Sequence, residues 1–106
     1  MTKEERIRGY LGLAARAGKI ESGEFSTEKA VRSGRAHVVY VANDASENTR
    51  KKFQNMCSHY QVPLFTLTDR ESMGHMIGKQ FRASLAVTDE RLAAVLVETE
   101  NRFTSF

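Results

Sequence analysis

The stretch Leu13-Ala14-Ala15-Arg16-Ala17-Gly18-Lys19-Ile20-Glu21-Ser22-Gly23, with Lys29-Ala30-Val31-Arg32-Ser33-Gly34 and the run His37-Val38-Val39-Tyr40-Val41-Ala42 behind it, decides the fold of this chain. Ile7, Tyr10, Leu11 and Ala14 recur at the i, i+3, i+4, i+7 spacing of a helix with one buried face. Gly18 sits where a C-terminal glycine would stop that helix. Gly9 and Gly12 fall inside the pattern and weaken it by about 1 kcal/mol each relative to Ala, which a close helix contact would explain. Lys19 to Ser22 then reads as short and extended. Ser22 is placed to cap a second helix running to about Ser33, with Gly34 as its stop. The run from His37 to Ala42 is β-branched and aromatic without polar alternation, the mark of a central strand covered on both faces.

Working outward, Asp44 with Glu47 three residues on has the form of a capping box. Phe53, Met56, Cys57 and Tyr60 repeat the helical spacing behind it, and Pro63 closes that segment. Leu64 to Leu67 is a further strand. Asp69 opens a shorter helix holding Met73, Met76 and Ile77, stopped by Gly78. Leu85 to Val87 is a fourth strand, and Thr88 or Asp89 caps a last helix carrying Leu92, Val95 and Leu96. Residues 1–100 read as a single domain and residues 101–106 as a frayed C-terminal tail. Strands alternating with helices predict an α/β fold with helices on both faces of a parallel or mixed sheet. Sites in such sheets gather at strand ends, here Ser22-Gly23, Asn43-Asp44, Thr68-Asp69 and Thr88-Asp89.

Composition sets the frame. At 106 residues the chain is one ordinary domain, and 41% hydrophobic against 27% charged residues reads as soluble and globular. The single cysteine, Cys57, excludes an internal disulfide. No apolar stretch approaches a membrane span, and Met1 to Arg8 lacks the apolar core of a signal peptide, so the cytoplasm is the simplest location. The net charge of +3 is unevenly spread: residues 1–52 carry 11 Lys and Arg against 7 Asp and Glu, residues 53–106 carry 5 against 6. A basic half suits nucleic acid, and equally a solvated surface.

Catalytic readings fail on spacing. A phosphate-binding P-loop needs four residues between its glycines, then Lys and Ser or Thr. Gly12 and Gly18 are separated by five, and Lys19 is followed by Ile20; Gly74 and Gly78 are separated by three, and Lys79 is followed by Gln80. No G-x-G-x-x-G for a dinucleotide is present. Structural zinc wants four ligands in close pairs, and only Cys57 and His59 lie close, one residue apart, with Cys57 on an apolar helix stripe. His37 and His75 have no ligand neighbour, and nothing orients a Cys/His nucleophile. Helix capping accounts for Asp44, Asp69 and Asp89. The chain reads as a binding protein, not an enzyme, with no cofactor and no metal.

Three loops are placed to converge. The first runs from Glu21 through Gly23, Glu24, Phe25 and Ser26 to Lys29 and offers helix-start amides that favour phosphate. The second is Asn43-Asp44. The third is Gly78-Lys79-Gln80-Phe81-Arg82-Ala83, where basic residues flank an aromatic, a combination that holds a backbone and stacks on an unpaired base. Bland readings stand beside these: Lys29 as a solvated lysine, Phe81 as a buried anchor, Phe25 as a hydrophobic staple or core residue, and Arg50-Lys51-Lys52 as a solvated face.

These segments, together with Val41-Ala42-Asn43-Asp44-Ala45-Ser46-Glu47-Asn48-Thr49, Val62-Pro63 and Ile77-Gly78-Lys79, resemble the bacterial YlxQ-like branch of the ribosomal L-seven-Ae/L-thirty-e superfamily, which binds kink-turn RNA. The likeness runs from about Ile7 to Leu96. It implies a three-layer α/β/α sandwich with a four-stranded mixed sheet. It also implies RNA recognition without catalysis, with structured or ribosomal RNA as partner, ribosomal proteins as further neighbours, no membrane, and a monomer. The superfamily's glycine falls on Gly23, its basic helix residue on Lys29, its acidic residue near Asn43-Asp44 and its late loop on Lys79 to Ala83. On this reading Lys19, Lys29, Lys79 and Arg82 contact phosphates, and Phe81 packs on a flipped-out base or sugar. One departure stands out. The superfamily's base-reading Asn-Glu pair falls on Phe25-Ser26, which implies either a variant RNA or an adaptor for protein partners.

Overall fold

The computed structural model describes residues 1–102. Helix α1 (Lys3–Arg16) leads through β1 (Ile20–Ser22) into α2 (Glu24–Arg32), and β2 (Val38–Val41) into α3 (Glu47–Tyr60). Then come β3 (Leu64–Thr66), α4 (Arg70–Met76), β4 (Ser84–Val87) and α5 (Glu90–Arg102). The strands form one four-stranded sheet in the order β1-β4-β2-β3. β2 and β3 run parallel, with Val39 opposite Leu64; β4 runs antiparallel to both β2 and β1, with Ala86 opposite Val39 and Glu21. The sheet is therefore mixed, and helices cover both of its faces.

The run that reads as a central strand is one: β2 and its neighbour β4 are buried at every position. Alternation along β2 divides the core in two. Val38 and Tyr40, with Leu85 and Val87, meet Ile7, Leu11 and Ala14 of α1, Met73 of α4, and Ala93 and Leu96 of α5. Val39, Val41 and Ala86 meet Ala30 and Val31 of α2 and Phe53, Met56 and Cys57 of α3. Beneath the first layer the Tyr40 hydroxyl donates to Glu100 Oε2 at 2.8 Å, and Lys3 Nζ stands 3.1 Å from the other oxygen of that buried carboxylate.

Helix ends follow local chemistry where the cap acts locally. Gly18, Gly34 and Gly78 take φ of +72°, +77° and +75°, the left-handed turn that stops a helix. Asp69 accepts from the Ser72 amide at 2.7 Å and Asp89 from the Leu92 amide at 2.9 Å, as expected. Two other caps differ from expectation. Ser22 is the last residue of β1, opposite Leu85, and α2 starts on Gly23 instead. The cap of α3 is Ser46, whose hydroxyl accepts from the Thr49 amide at 3.1 Å, because Asp44 is engaged elsewhere. At the start of the chain, Thr2 and Glu5 form a reciprocal capping box that the sequence reading missed. Helix α5 continues through Asn101 and Arg102, into the segment read as tail; the rest of that segment, 103–106, lies outside the described residues.

Candidate nucleic-acid interface

Strand direction sorts the loops. β1, β2 and β3 all end where β4 begins, so the loops following the first three and preceding the last share one end of the sheet. Backbone bonds tie them together there: the Gly23 amide donates to the Ser84 carbonyl at 3.0 Å, the Ala42 amide to Ala83 at 2.8 Å, and the Asn43 amide to Thr68 at 2.8 Å. The three loops read as convergent do converge. Thr88-Asp89 does not join them, because β4 runs the other way. Lys19 is also at the far end, where its carbonyl accepts from the Thr88 amide at 2.9 Å. The structure thus separates Lys19 from the other residues of the expected set.

At the α2 start, Gly23 holds φ +91°, which a residue with a side chain rarely adopts, and no side chain caps the first turn. Phe25 is not the staple or core residue that one reading made it: its ring is 79% exposed. Glu24 is held from the neighbouring helix, where Thr49 Oγ1 donates to one carboxylate oxygen at 3.1 Å and Lys52 Nζ lies 3.6 Å from the other. Glu28 is bound by Lys52 and by Arg32 Nε at 2.9 Å, and these donors, Lys52 foremost, hold its carboxyl below the usual range. The hydrogen bond to Glu28 raises Lys52 in turn. Ser26 is half-buried. Lys29 is exposed and pairs with no carboxylate among the described residues. The acids of this corner are thus already neutralised by neighbours, while Lys29 remains available to a phosphate.

The late loop is pinned from beneath. A Cβ on Gly74, buried in α4, would lie 1.2 Å from the Gln80 carbonyl oxygen, so only glycine admits the loop at this approach. The Lys79 amide donates to the Gly74 carbonyl at 2.8 Å, and the Arg82 amide to Arg70 at 3.1 Å. Two of the Arg82 guanidinium nitrogens are bonded within the chain: Nε donates to Ser22 Oγ at 3.0 Å and Nη1 to the Phe81 carbonyl at 2.8 Å. It thereby braces the loop against β1. Lys79 and Gln80 stay exposed, and Phe81 is exposed to 63%, not buried as an anchor. Asp44 accepts from the Arg70 amide at 2.9 Å and faces its guanidinium at 3.5 Å, while Asn43 is exposed beside it.

Lys52, Thr49, Arg70 and Gly74 shape this end of the sheet and were missed as site residues. Lys52 lay within a basic run read as solvated, and only the packing of α3 on α2 shows that its third member turns inward. Among the described residues, no cluster of three or more His, Cys, Asp or Glu could hold a metal ion, and no helix is long and apolar enough to cross a membrane. Cys57 is buried, which pushes its thiol up to about 11.

The fold and this surface define a class: a three-layer α/β/α domain that presents an uncapped helix start and a braced basic loop from one end of a mixed sheet. The chain belongs to the ribosomal protein L7Ae/L30e/S12e/Gadd45 family, which matches residues 5–97. It is 44% identical to the RNA-binding protein YlxQ of Bacillus subtilis (strain 168) over 87 residues, covering 82% of this chain and 87% of that one. It is 45% identical to YlxQ of Enterococcus faecium over 75 residues, covering 71% and 73%. Among solved structures, a Bacillus halodurans protein of unknown function superposes with a TM-score of 0.84 at 34% identity, covering 88% of this chain and 94% of that one. The Giardia lamblia 15.5kD RNA binding protein shares the fold, with a TM-score of 0.82 at 17% identity over 96% of this chain and 88% of that one.

Proposed function

We propose that this chain is a non-catalytic RNA-binding protein of the cytoplasm, associated with ribosomal or other structured RNA of the kink-turn type, and that it binds through the end of the sheet where β1, β2 and β3 terminate. The observation that carries the reading is the convergence of the α2 start with the loop that carries exposed Lys79 and Phe81, while Lys29, exposed and free of carboxylate partners among the described residues, follows on α2 one turn after Phe25. Exposed cations suit a phosphate backbone, and an exposed aromatic suits an unpaired base. The YlxQ relatives, named as RNA-binding proteins, support the same reading.

Titration against a kinked RNA, a plain duplex and a single strand at several salt concentrations tests it. Tightest binding to the kinked RNA is expected. Lys29→Ala should weaken it and reduce the salt slope by about one unit, as for one lost phosphate contact. Equal, weak binding to all three RNAs would overturn structural recognition. That result would favour a protein adaptor, for which the exposure of Phe25 and Phe81 supplies an apolar contact surface.

A further inference from the structure

The first turn of α2 has no side chain equipped to read a base edge. Reading an edge takes free hydrogen-bonding groups aimed outward, most selectively as a bidentate pair. Glu24 has both carboxylate oxygens engaged by Thr49 and Lys52. Ser26 has one short hydroxyl and is half-buried. What the turn does present is the ring of Phe25, 79% exposed. Phe25 and Lys29 are four residues apart, hence on one helix face, and they line a shallow groove along α2 with Glu28, Arg32 and Ser33, the Glu28 carboxylate being held by Lys52 and Arg32. Arg32 is paired to Glu28, so Lys29 is the cation left for a ligand. An open aromatic face with an exposed cation one turn away fits a nucleotide held by its base plane and its phosphate.

We infer that α2 recognises an unpaired nucleotide by stacking its base on Phe25 while Lys29 holds its phosphate, so that this chain reads the shape of its RNA and tolerates any base at that position. The inference rests on the RNA-binding reading above and adds a chemistry to it. Stacking is sequence-tolerant because every base has a π-face. The two aromatic contacts then have separate supports: Phe25 on a helix fixed by the sheet, Phe81 on a loop braced by Arg82 and Gly74.

The experiment uses the full chain and a set of kinked RNAs carrying each of the four bases, or an abasic site, at the unpaired position. The sequence contains no tryptophan, so Phe25→Trp installs a single tryptophan, which can be excited apart from the three tyrosines. The four bases are expected to bind alike. The abasic RNA and Phe25→Ala should each lose about 5- to 150-fold, the range for one base–aromatic stack. Phe25→Trp should retain affinity and be quenched by the RNA. Thermal melts of both variants should match the parent, since the ring is exposed. If Lys29→Ala weakens binding while Phe25→Ala does not, RNA binding stands and the stacking inference falls. A strong preference for one base that survives Phe25→Ala would also overturn it. Insensitivity to both substitutions would count against the RNA-binding reading itself.

Discussion

Replacing Gly74 by Ala tests how the late loop is held. The new Cβ would stand 1.2 Å from the Gln80 carbonyl oxygen and 2.4 Å from its carbonyl carbon, so backbone, not a side chain, has to move. Overpacking of this kind costs about 1–3 kcal/mol. If the loop lifts to avoid it, the bonds from Lys79 to Gly74 and from Arg82 to Arg70 are lost, at about 1 kcal/mol each. Better helix propensity returns up to about 1 kcal/mol. The net loss is about 1–3 kcal/mol, which for a domain near this size lowers the melting temperature by about 5–20 °C. Affinity for a kinked RNA should fall together with it, because Lys79 and Phe81 ride on the displaced loop. Gly9→Ala is the matched control. Its Cβ meets nothing within 4 Å, so it should stabilise by about 0.5–1 kcal/mol and leave RNA binding unchanged. Differential scanning fluorimetry and RNA titration of both variants read the outcome. Similar melting temperatures for Gly74→Ala, Gly9→Ala and the parent would refute the steric argument.

Further outcomes follow from the charged and buried groups. Lys52→Ala releases Glu24 and Glu28 at the α2 surface; RNA affinity should drop about two- to fivefold, the worth of a surface pair, and Glu24→Gln in that background should restore part of it in a double-mutant cycle. The Ser72 backbone amide holds the Asp69 carboxyl below its ordinary 3.8. A depressed carboxyl stabilises the fold above that value and loses its contribution as pH falls through the folded one. The stability gap between the parent and Asp69→Ala should therefore be widest near neutral pH and close below 3.8 in urea melts. Cys57, buried with its thiol pushed up to about 11, should resist a thiol reagent at pH 8 in the native protein and react at once in denaturant.

The parts of this fold that depend on neighbours along the chain were readable, and those that depend on partners across it were not. The unbroken apolar run at Val38–Val41 marks a strand buried on both faces, and Gly18, Gly34 and Gly78 stop helices by a φ that any reading of their positions expects. Ser22 and Asp44 have the chemistry of caps, yet each is claimed by a distant arginine, Arg82 and Arg70, brought in by the sheet. Lys19 precedes β1 and Gly23 follows it, so the strand itself carries the two to opposite ends of the sheet, a separation that nearness in sequence conceals. Gly9 and Gly12 suggested a close helix contact that is absent: a Cβ on Gly12 would meet its nearest neighbour at 3.4 Å, an ordinary contact. The glycine that a close approach does require is Gly74, whose neighbour Gln80 arrives by a turn of the loop. Phe25 and Phe81 show the same limit, because amphipathic spacing cannot say whether an aromatic at a helix start or in a loop faces in or out.

The most direct test is backbone chemical-shift mapping of the labelled chain titrated with a kinked RNA. The expected perturbations concentrate at residues 23–29, 43–44 and 79–83, with Lys19, Thr88 and Asp89 at the other end of the sheet unmoved. Perturbations centred on Lys19 and the start of α5, with the Gly23 end silent, would contradict the assignment of the binding surface.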